Sequence, residues 1–204
     1  KWRSEAGRHL ELATFQSDTA RELIVVVNAG GRSAYANAGR TRRQGVELTF
    51  TAPLTDRWNT QFSYTALKAV VRDGYLVCSV VPCLLPTALV RPGNRIPGVP
   101  QVTAFAELRW QHPAGWSAGV DARHSSSVAV NDLNAAVAGA FTLLNGGIGY
   151  RWQRTAHGVD AFLRVENLQD RRYIGSVIVN DANGRFFESG PGRTVRLGLA
   201  TRLM

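Results

Sequence analysis

The sequence predicts an all-β chain, an antiparallel sheet whose strands run up and down. Three observations lead there. Apolar and polar residues trade places with period two along most of the 204 residues. Short and long connections alternate. The aromatic residues gather beside the short connections. Together these describe the wall of a transmembrane β-barrel, with one face toward hydrocarbon and the other toward water.

Two runs, about 8–16 and 20–28, open the pattern. Val46, Leu48, Phe50, Ala52 and Leu54 then alternate with Glu47, Thr49 and Thr51. Trp58, Thr60, Phe62, Tyr64 and Ala66 share one face; Asn59, Gln61, Ser63 and Thr65 share the other. Val102, Ala104, Ala106, Leu108 and Trp110 oppose Gln101, Thr103, Glu107 and Arg109, and Trp116, Ala118, Val120 and Ala122 oppose Ser117, Asp121 and Arg123. Ile148, Tyr150 and Trp152 share a face. So do Val159, Ala161, Leu163 and Val165, and finally Val195, Leu197, Leu199, Thr201 and Leu203. The sum is about nine strands, with Phe105 and Phe162 as apolar exceptions on polar faces.

The junctions 17–19, 53–57, 112–114 and 154–157 read as short turns. The connections at about 29–41, 71–98, 129–139 and 169–191 are long. In an up-and-down sheet consecutive connections lie at opposite ends, so every short turn falls at one end. A soluble sandwich has no reason to sort its loops this way; an outer-membrane barrel has tight turns on one side and long loops on the other. Trp58, Trp110, Trp116, Tyr150 and Trp152 sit beside the short turns on the apolar faces, as an interfacial girdle requires. No run approaches the roughly 20 apolar residues of a membrane-spanning helix.

Charge narrows the partners. Twenty-four Lys and Arg face 15 Asp and Glu, a net charge of +9. Lysine appears only at Lys1 and Lys68. The balance favours anionic partners, but the basic residues are scattered, which argues against nucleic acid. The chain opens on Lys1-Trp2-Arg3 and its one methionine is Met204, so a fragment of a longer product is expected.

The segment Val165–Tyr173, reading Val-Glu-Asn-Leu-Gln-Asp-Arg-Arg-Tyr, resembles the penultimate strand of TonB-dependent outer-membrane receptors, where Asn-Leu-aromatic-Asp-x-x-Tyr recurs. Gly184–Thr194 is similar to that family's Pro-Gly-Arg approach to the last strand. Arg43–Leu48 matches its Gly-x-Glu strand start, Ser63-Tyr64-Thr65 the strand after it, and Arg95–Pro100 its Pro-rich approach after a loop. The likeness runs from about residue 40 to 204. It departs at Gln169, where an aromatic is usual, and at the Arg202-Leu203-Met204 end, where an aromatic is common.

The resemblance implies a 22-stranded barrel with an N-terminal plug, of which residues 1–204 are the C-terminal part, about the last nine strands. It implies import of a ferric siderophore, or sometimes cobalamin or haem, with TonB acting through a missing N-terminal region, and a place in the bacterial outer membrane beside lipopolysaccharide. No enzymatic activity and no cofactor are expected. Asn167 and Asp170 suit a structural role with Tyr173, because their short side chains bond nearby backbone where a strand bends.

Loop arginines are the ligand candidates, because guanidinium forks suit the oxygens of an iron chelate. Arg40, Arg42, Arg43, Arg91 and Arg185 lead, with Tyr75 and Phe186 to pack against it. Cys78 and Cys83, in Cys-Ser-Val-Val-Pro-Cys, suit a loop-closing disulfide; a metal site would want further Cys or His nearby. Two other classes stay open. A soluble β-sandwich binding module would pack the apolar faces together. A small outer-membrane barrel hydrolase would combine Ser125, His124 and Asp121, although no Gly-x-Ser-x-Gly elbow is present.

Overall fold

The computed structural model describes residues 1–37, 39–78, 85–154 and 157–203. In chain order the strands are β1 (Trp2–Arg3), β2 (His9–Thr19), β3 (Leu23–Ala29), β4 (Arg32–Asn37), β5 (Thr41–Pro53) and β6 (Trp58–Val71). Then come β7 (Tyr75–Val77), β8 (Ala88–Val90), β9 (Val102–Gln111), β10 (Trp116–Ser125), β11 (Val128–Ala129) and β12 (Val137–Ala138). The last are β13 (Phe141–Arg154), β14 (His157–Glu166), β15 (Ile174–Val177), β16 (Phe187–Ser189) and β17 (Thr194–Leu203). Among the described residues all regular structure is strand.

Nine strands form one sheet in the order β1-β2-β5-β6-β9-β10-β13-β14-β17, each antiparallel to its neighbours. The other eight pair as four hairpins, one in each long connection. All long connections therefore leave one end of the sheet and all short turns the other.

Register assigns the faces. One row reads Leu108, Val120, Gly146, Val165 and Val195 across five strands. Another reads Leu10, Phe50, Phe62, Ala106, Ala122 and Leu144. The opposite face carries rows such as Gln61, Glu107, Asp121 and Asn145. The apolar face is not a core: Leu197 is 82% exposed, Leu199 73% and Val120 57%. Such a face belongs against hydrocarbon or a partner surface, and it rules against a sandwich interior within this chain. The buried apolar residues other than Ala52 sit instead at the long-connection end, where Val71, Val77 and Val90 pack with Tyr75, Ala88 and Leu133.

Aromatic residues of the apolar face cluster at the short-turn end. Trp58 pairs with Trp110 across β6 and β9, and the Trp116 and Tyr150 rings lie 4.7 Å apart. Trp2, beside the 4–8 turn, is at the same end. The two aromatic exceptions on the polar face have partners of their own. Arg123 sits 5.8 Å over the Phe105 ring. Phe162 lies across Gly198, where an added Cβ would fall 2.1 Å from its ring; glycine there makes room for the cross-strand aromatic.

The start of the chain differs from the sequence reading. Ser17-Asp18-Thr19 is not a turn: β2 runs through it, paired residue by residue with Arg43, Arg42 and Thr41. The side chains explain why, since Asp18 accepts from Arg42 Nε at 2.7 Å and from Gln16. The 20–28 run is strand, but its β3 pairs with β4 outside the main sheet. The ninth strand is β1, reached through the 4–8 turn.

Ile148→Arg, on the apolar face, should cost about 2–4 kcal/mol and lower the yield of protein inserted into lipid vesicles. Ser63→Arg, on the polar face, should leave insertion unchanged. Urea unfolding of vesicle-inserted protein reads both.

Candidate functional site

The long connections interlock through one residue. Asn180 has a left-handed backbone, φ 54°. Its amide N donates to the Val130 carbonyl at 3.0 Å and its carbonyl accepts from the Asn28 amide at 2.9 Å. Its side chain accepts from the Asp132 amide at 3.1 Å and donates to the Val25 carbonyl at 2.5 Å and to Asp132 Oδ2 at 2.9 Å. Three connections are tied at that point. The fourth joins through Asn94 Nδ2, which donates to the Asp132 carbonyl at 2.8 Å, and through Asn134, which bonds both the amide and the carbonyl of Arg95. Sequence reasoning missed Asn180 and Asp132. The available signal was a repeated Val-Asn-Asp, at 130–132 and 179–181, whose two copies meet in the cap.

Asp132 is buried, and burial pushes its carboxyl above the usual range. The Tyr75 phenol is pushed up as well, first by burial and then by the Asp132 charge. The two groups face each other, yet among the described residues the Tyr75 hydroxyl completes no hydrogen bond. Phe186 lies edge-on to Phe187, ring centres 6.1 Å apart. With Val27, Val77, Leu133, Asp132 and Asn180 it lines a cavity of about 80 Å³, well below the roughly 300–1,000 Å³ of a small-molecule pocket. Tyr75 and Phe186 thus flank Asp132 from two connections.

The candidate arginines divide into two sets. Arg40 grips Asp73 through Nε at 3.0 Å and Nη2 at 2.8 Å, and that hydrogen-bonded guanidinium holds the Asp73 carboxyl below its ordinary range. Arg42 pairs with Asp18. Arg43 bonds Glu22, which also accepts from Thr41; the Arg43 contact holds that carboxyl low. All three are satisfied by acids from neighbouring segments. Arg91 and Arg185 are exposed; the Arg185 amide donates to Asp181 Oδ1 at 2.9 Å. Cys78 is disulfide-bonded; Cys83 lies outside the described residues.

The 165–173 motif ends β14 in an irregular turn. Asn167 and Asp170 take left-handed backbones, φ 52° and 51°. The Asn167 side chain accepts from the Arg171 amide at 2.9 Å and donates to the carbonyls of Arg171 and Pro191 at 2.9 and 3.2 Å. Asp170 Oδ1 accepts from the Arg193 amide at 2.9 Å. Tyr173 stacks 4.6 Å from Phe141 and lies over Gly190, where an added Cβ would fall 2.2 Å from its ring. Gln169, the departure from the family pattern, rejoins the ladder. Leu168 N donates to the Leu144 carbonyl at 2.8 Å, and Gln169 Oε1 accepts from the Leu144 amide at 3.2 Å. An aromatic at 169 offers no such acceptor.

From Asn167 a polar chain runs down the inner face. The Asn167 amide donates to Asn145 Oδ1 at 2.9 Å, and Asn145 Nδ2 to Asp121 Oδ1 at 2.7 Å. Arg164 donates to Asp121 Oδ2 at 2.6 Å, and Arg196 bridges to Glu166 at 3.0 Å. Asp121 is thus committed to a structural network. His124 lies on the apolar face, bonded to Thr142 Oγ1 at 2.9 Å, whereas Asp121 and Ser125 belong to the other face. The Ser125, His124 and Asp121 combination is not assembled.

This architecture is that of an outer-membrane-type barrel wall. The family model for TonB-dependent receptor-like β-barrels matches residues 1–168, and the chain belongs to that family. The probable TonB-dependent siderophore receptor PiuA of Acinetobacter baumannii is 26% identical over 75% of this chain and 20% of its own length. The catecholate siderophore receptor Fiu of Escherichia coli K12 is 25% identical over 92% of this chain and 22% of its own. The chain therefore spans about a fifth of these relatives. In fold it is similar to the unliganded ferric citrate transporter FecA, with a TM-score of 0.75 and 17% identity over 97% of this chain and 29% of that one. The crystal structure of PiuA aligns with a TM-score of 0.72 at 22% identity, over 95% of this chain and 26% of that one.

Asn167→Gly keeps the left-handed backbone and loses the side-chain bonds; Asn167→Ala loses both and should be the less stable by about 1 kcal/mol. Gln169→Leu strands the Leu144 amide and should cost about 1–3 kcal/mol. Urea midpoints in vesicles rank the three.

Asp132 has its folded pKa raised, so its stabilising contribution is complete below the unfolded value, about 4, and declines as pH rises through the folded one. With the intrinsic base-catalysed rate divided out, the Asn180 amide should thus be less protected from hydrogen exchange at neutral pH than in mild acid. Asp132→Asn should flatten that dependence. Glu22 and Asp73, held low, lose their contributions only at more acid pH.

Proposed function

We propose that this chain is the C-terminal part of a bacterial outer-membrane receptor that imports a ferric siderophore or similar chelate. Residues 1–204 would supply about the last nine strands of a 22-stranded barrel. The observation that carries this reading is the exposed apolar face, girdled by tryptophan at one end, in a chain of the TonB-dependent receptor family. The names of PiuA and Fiu support siderophore import, and Fiu favours a catecholate. TonB would act through an N-terminal region outside these residues. The interlocked connections face the cell exterior in this arrangement, above an outer leaflet of lipopolysaccharide.

Within the cap the ligand contacts fall to Arg91 and Arg185, the two candidate arginines whose side chains no acid engages among the described residues, with Phe186 as a packing surface. Tyr75, Arg40, Arg42 and Arg43 would act indirectly, by holding the connections in place. A disulfide at Cys78 would stiffen the longest connection, and Asn167, Asp170 and Tyr173 would fix the exit of β14.

The intact receptor, expressed in an iron-starved strain lacking its other catecholate receptors, should restore uptake of a radiolabelled ferric catecholate in a TonB-dependent way. Arg91→Ala with Arg185→Ala should weaken chelate binding about tenfold or more, while Arg40→Ala should chiefly loosen the cap. Uptake independent of TonB, or none with ferric catecholates, hydroxamates or citrate, would sink the reading.

A further inference from the structure

A surface at the 165–173 motif is unused by the reading above. Leu168 is exposed on the apolar side and closes the upper end of a groove of about 440 Å³. Leu108, Val120, Gly146, Leu163 and Val165 form its walls, and Trp58 reaches its lower part. The groove exists because Gly146 offers no side chain beside Val120 and Leu168; the nearest atom to an added Cβ there would be Leu168 Cδ1, at 3.5 Å. Its lining is almost wholly apolar and extends across the sheet from β6 to β14.

Immediately beyond Leu168 the same turn carries Arg171 and Arg172, and the facing segment carries Arg193. All three are exposed. No acid pairs with their side chains among the described residues. Their backbone is fixed: Asn167 holds both the amide and the carbonyl of Arg171, and Asp170 holds the Arg193 amide. Asp170 is the one acid of the turn, so three guanidinium groups stand against one carboxylate. Elsewhere at this end of the sheet the arginines of β5 and its approach are neutralised by Asp18, Glu22 and Asp73.

We propose that this turn and groove bind one phosphorylated lipid of the outer leaflet, its acyl chain in the groove and its phosphate among Arg171, Arg172 and Arg193. Charge complementarity selects the occupant. A neutral lipid fills the groove equally well but leaves the guanidinium cluster unengaged, whereas a phosphomonoester headgroup engages both at the height where the apolar face ends. The motif then joins two roles: its Asn and Asp shape the strand exit, and its Leu and arginines read the lipid.

The inference rests on the lipid-facing reading of the sheet, and the test separates the two. The protein, purified in a non-ionic detergent, is titrated with phosphatidic acid or with phosphatidylcholine, both carrying the same dibrominated acyl chains. The Trp58 component of fluorescence quenching is obtained by subtracting the Trp58→Phe variant. Phosphatidic acid should half-quench at about a tenfold lower mole fraction than phosphatidylcholine. Replacing Arg171, Arg172 and Arg193 by Gln should shrink that preference below about threefold and leave phosphatidylcholine quenching as it was. Arg172→Gln with Arg193→Gln, which spares the anchored Arg171, should do the same in part if the triple variant folds poorly. Equal quenching by both lipids overturns this inference alone, as does a preference that survives the arginine replacements. Competition by inorganic phosphate as strong as by phosphatidic acid also overturns it, because the site then reads a free anion. Quenching by neither lipid overturns this inference and the membrane reading together.

Discussion

Hydrocarbon offers no hydrogen bonds, so every backbone amide and carbonyl in a membrane wall must find its partner within the protein. Between its two edge strands the main sheet meets this demand by continuous antiparallel ladders. Its most revealing point is where the ladder fails. Past Val165 the β14 strand leaves its register, and β13 still presents the main chain of Leu144. The gap is closed by the Leu168 amide and the Gln169 side chain. The left-handed turn at Asn167 is tolerable because its own side chain ties down both Arg171 and Pro191.

The two faces obey different rules. On the apolar face little is buried within the chain, and most of the energy that favours it comes from outside. On the inner face the charged groups are organised rather than merely tolerated. Asp121 is buried and engages Asn145 and Arg164, and Glu166 engages Arg196. Removing one partner from such a group leaves a charge without compensation, which costs far more than the pair contributes. The third region, the cap, holds the only hydrophobic cluster among the described residues, and there asparagine side chains replace sheet ladders as the joints between segments.

Period two was legible from sequence because it is a local consequence of strand geometry, and the sorting of short and long connections followed from it. The faces assigned to β5, β6, β9, β10, β13, β14 and β17 match the observed register. Local signals misled at Ser17-Asp18-Thr19, whose turn chemistry yielded to the cross-strand Asp18–Arg42 pair, 24 positions apart. The same distance effect hid the partners of the loop arginines. Arg40 meets Asp73 only once β5 and β6 bring the first two long connections to one end, and Arg43 meets Glu22 only once the first of them folds back onto β5. Asn180 was illegible for that reason: alone it is a turn residue, and its importance lies in contacts up to 155 positions away. The Asn167 and Asp170 bonds, mostly within a few residues or to the adjacent strand start, were close to what the residue types imply.

That single asparagine has a consequence for how the long-connection end changes over time. Three segments that meet at one side chain cannot drift independently. Lengthening any of them displaces the knot, and the other two inherit the shift. Change at this end of the sheet is most readily acquired by exchanging the linked connections together, with the strands beneath left as they were.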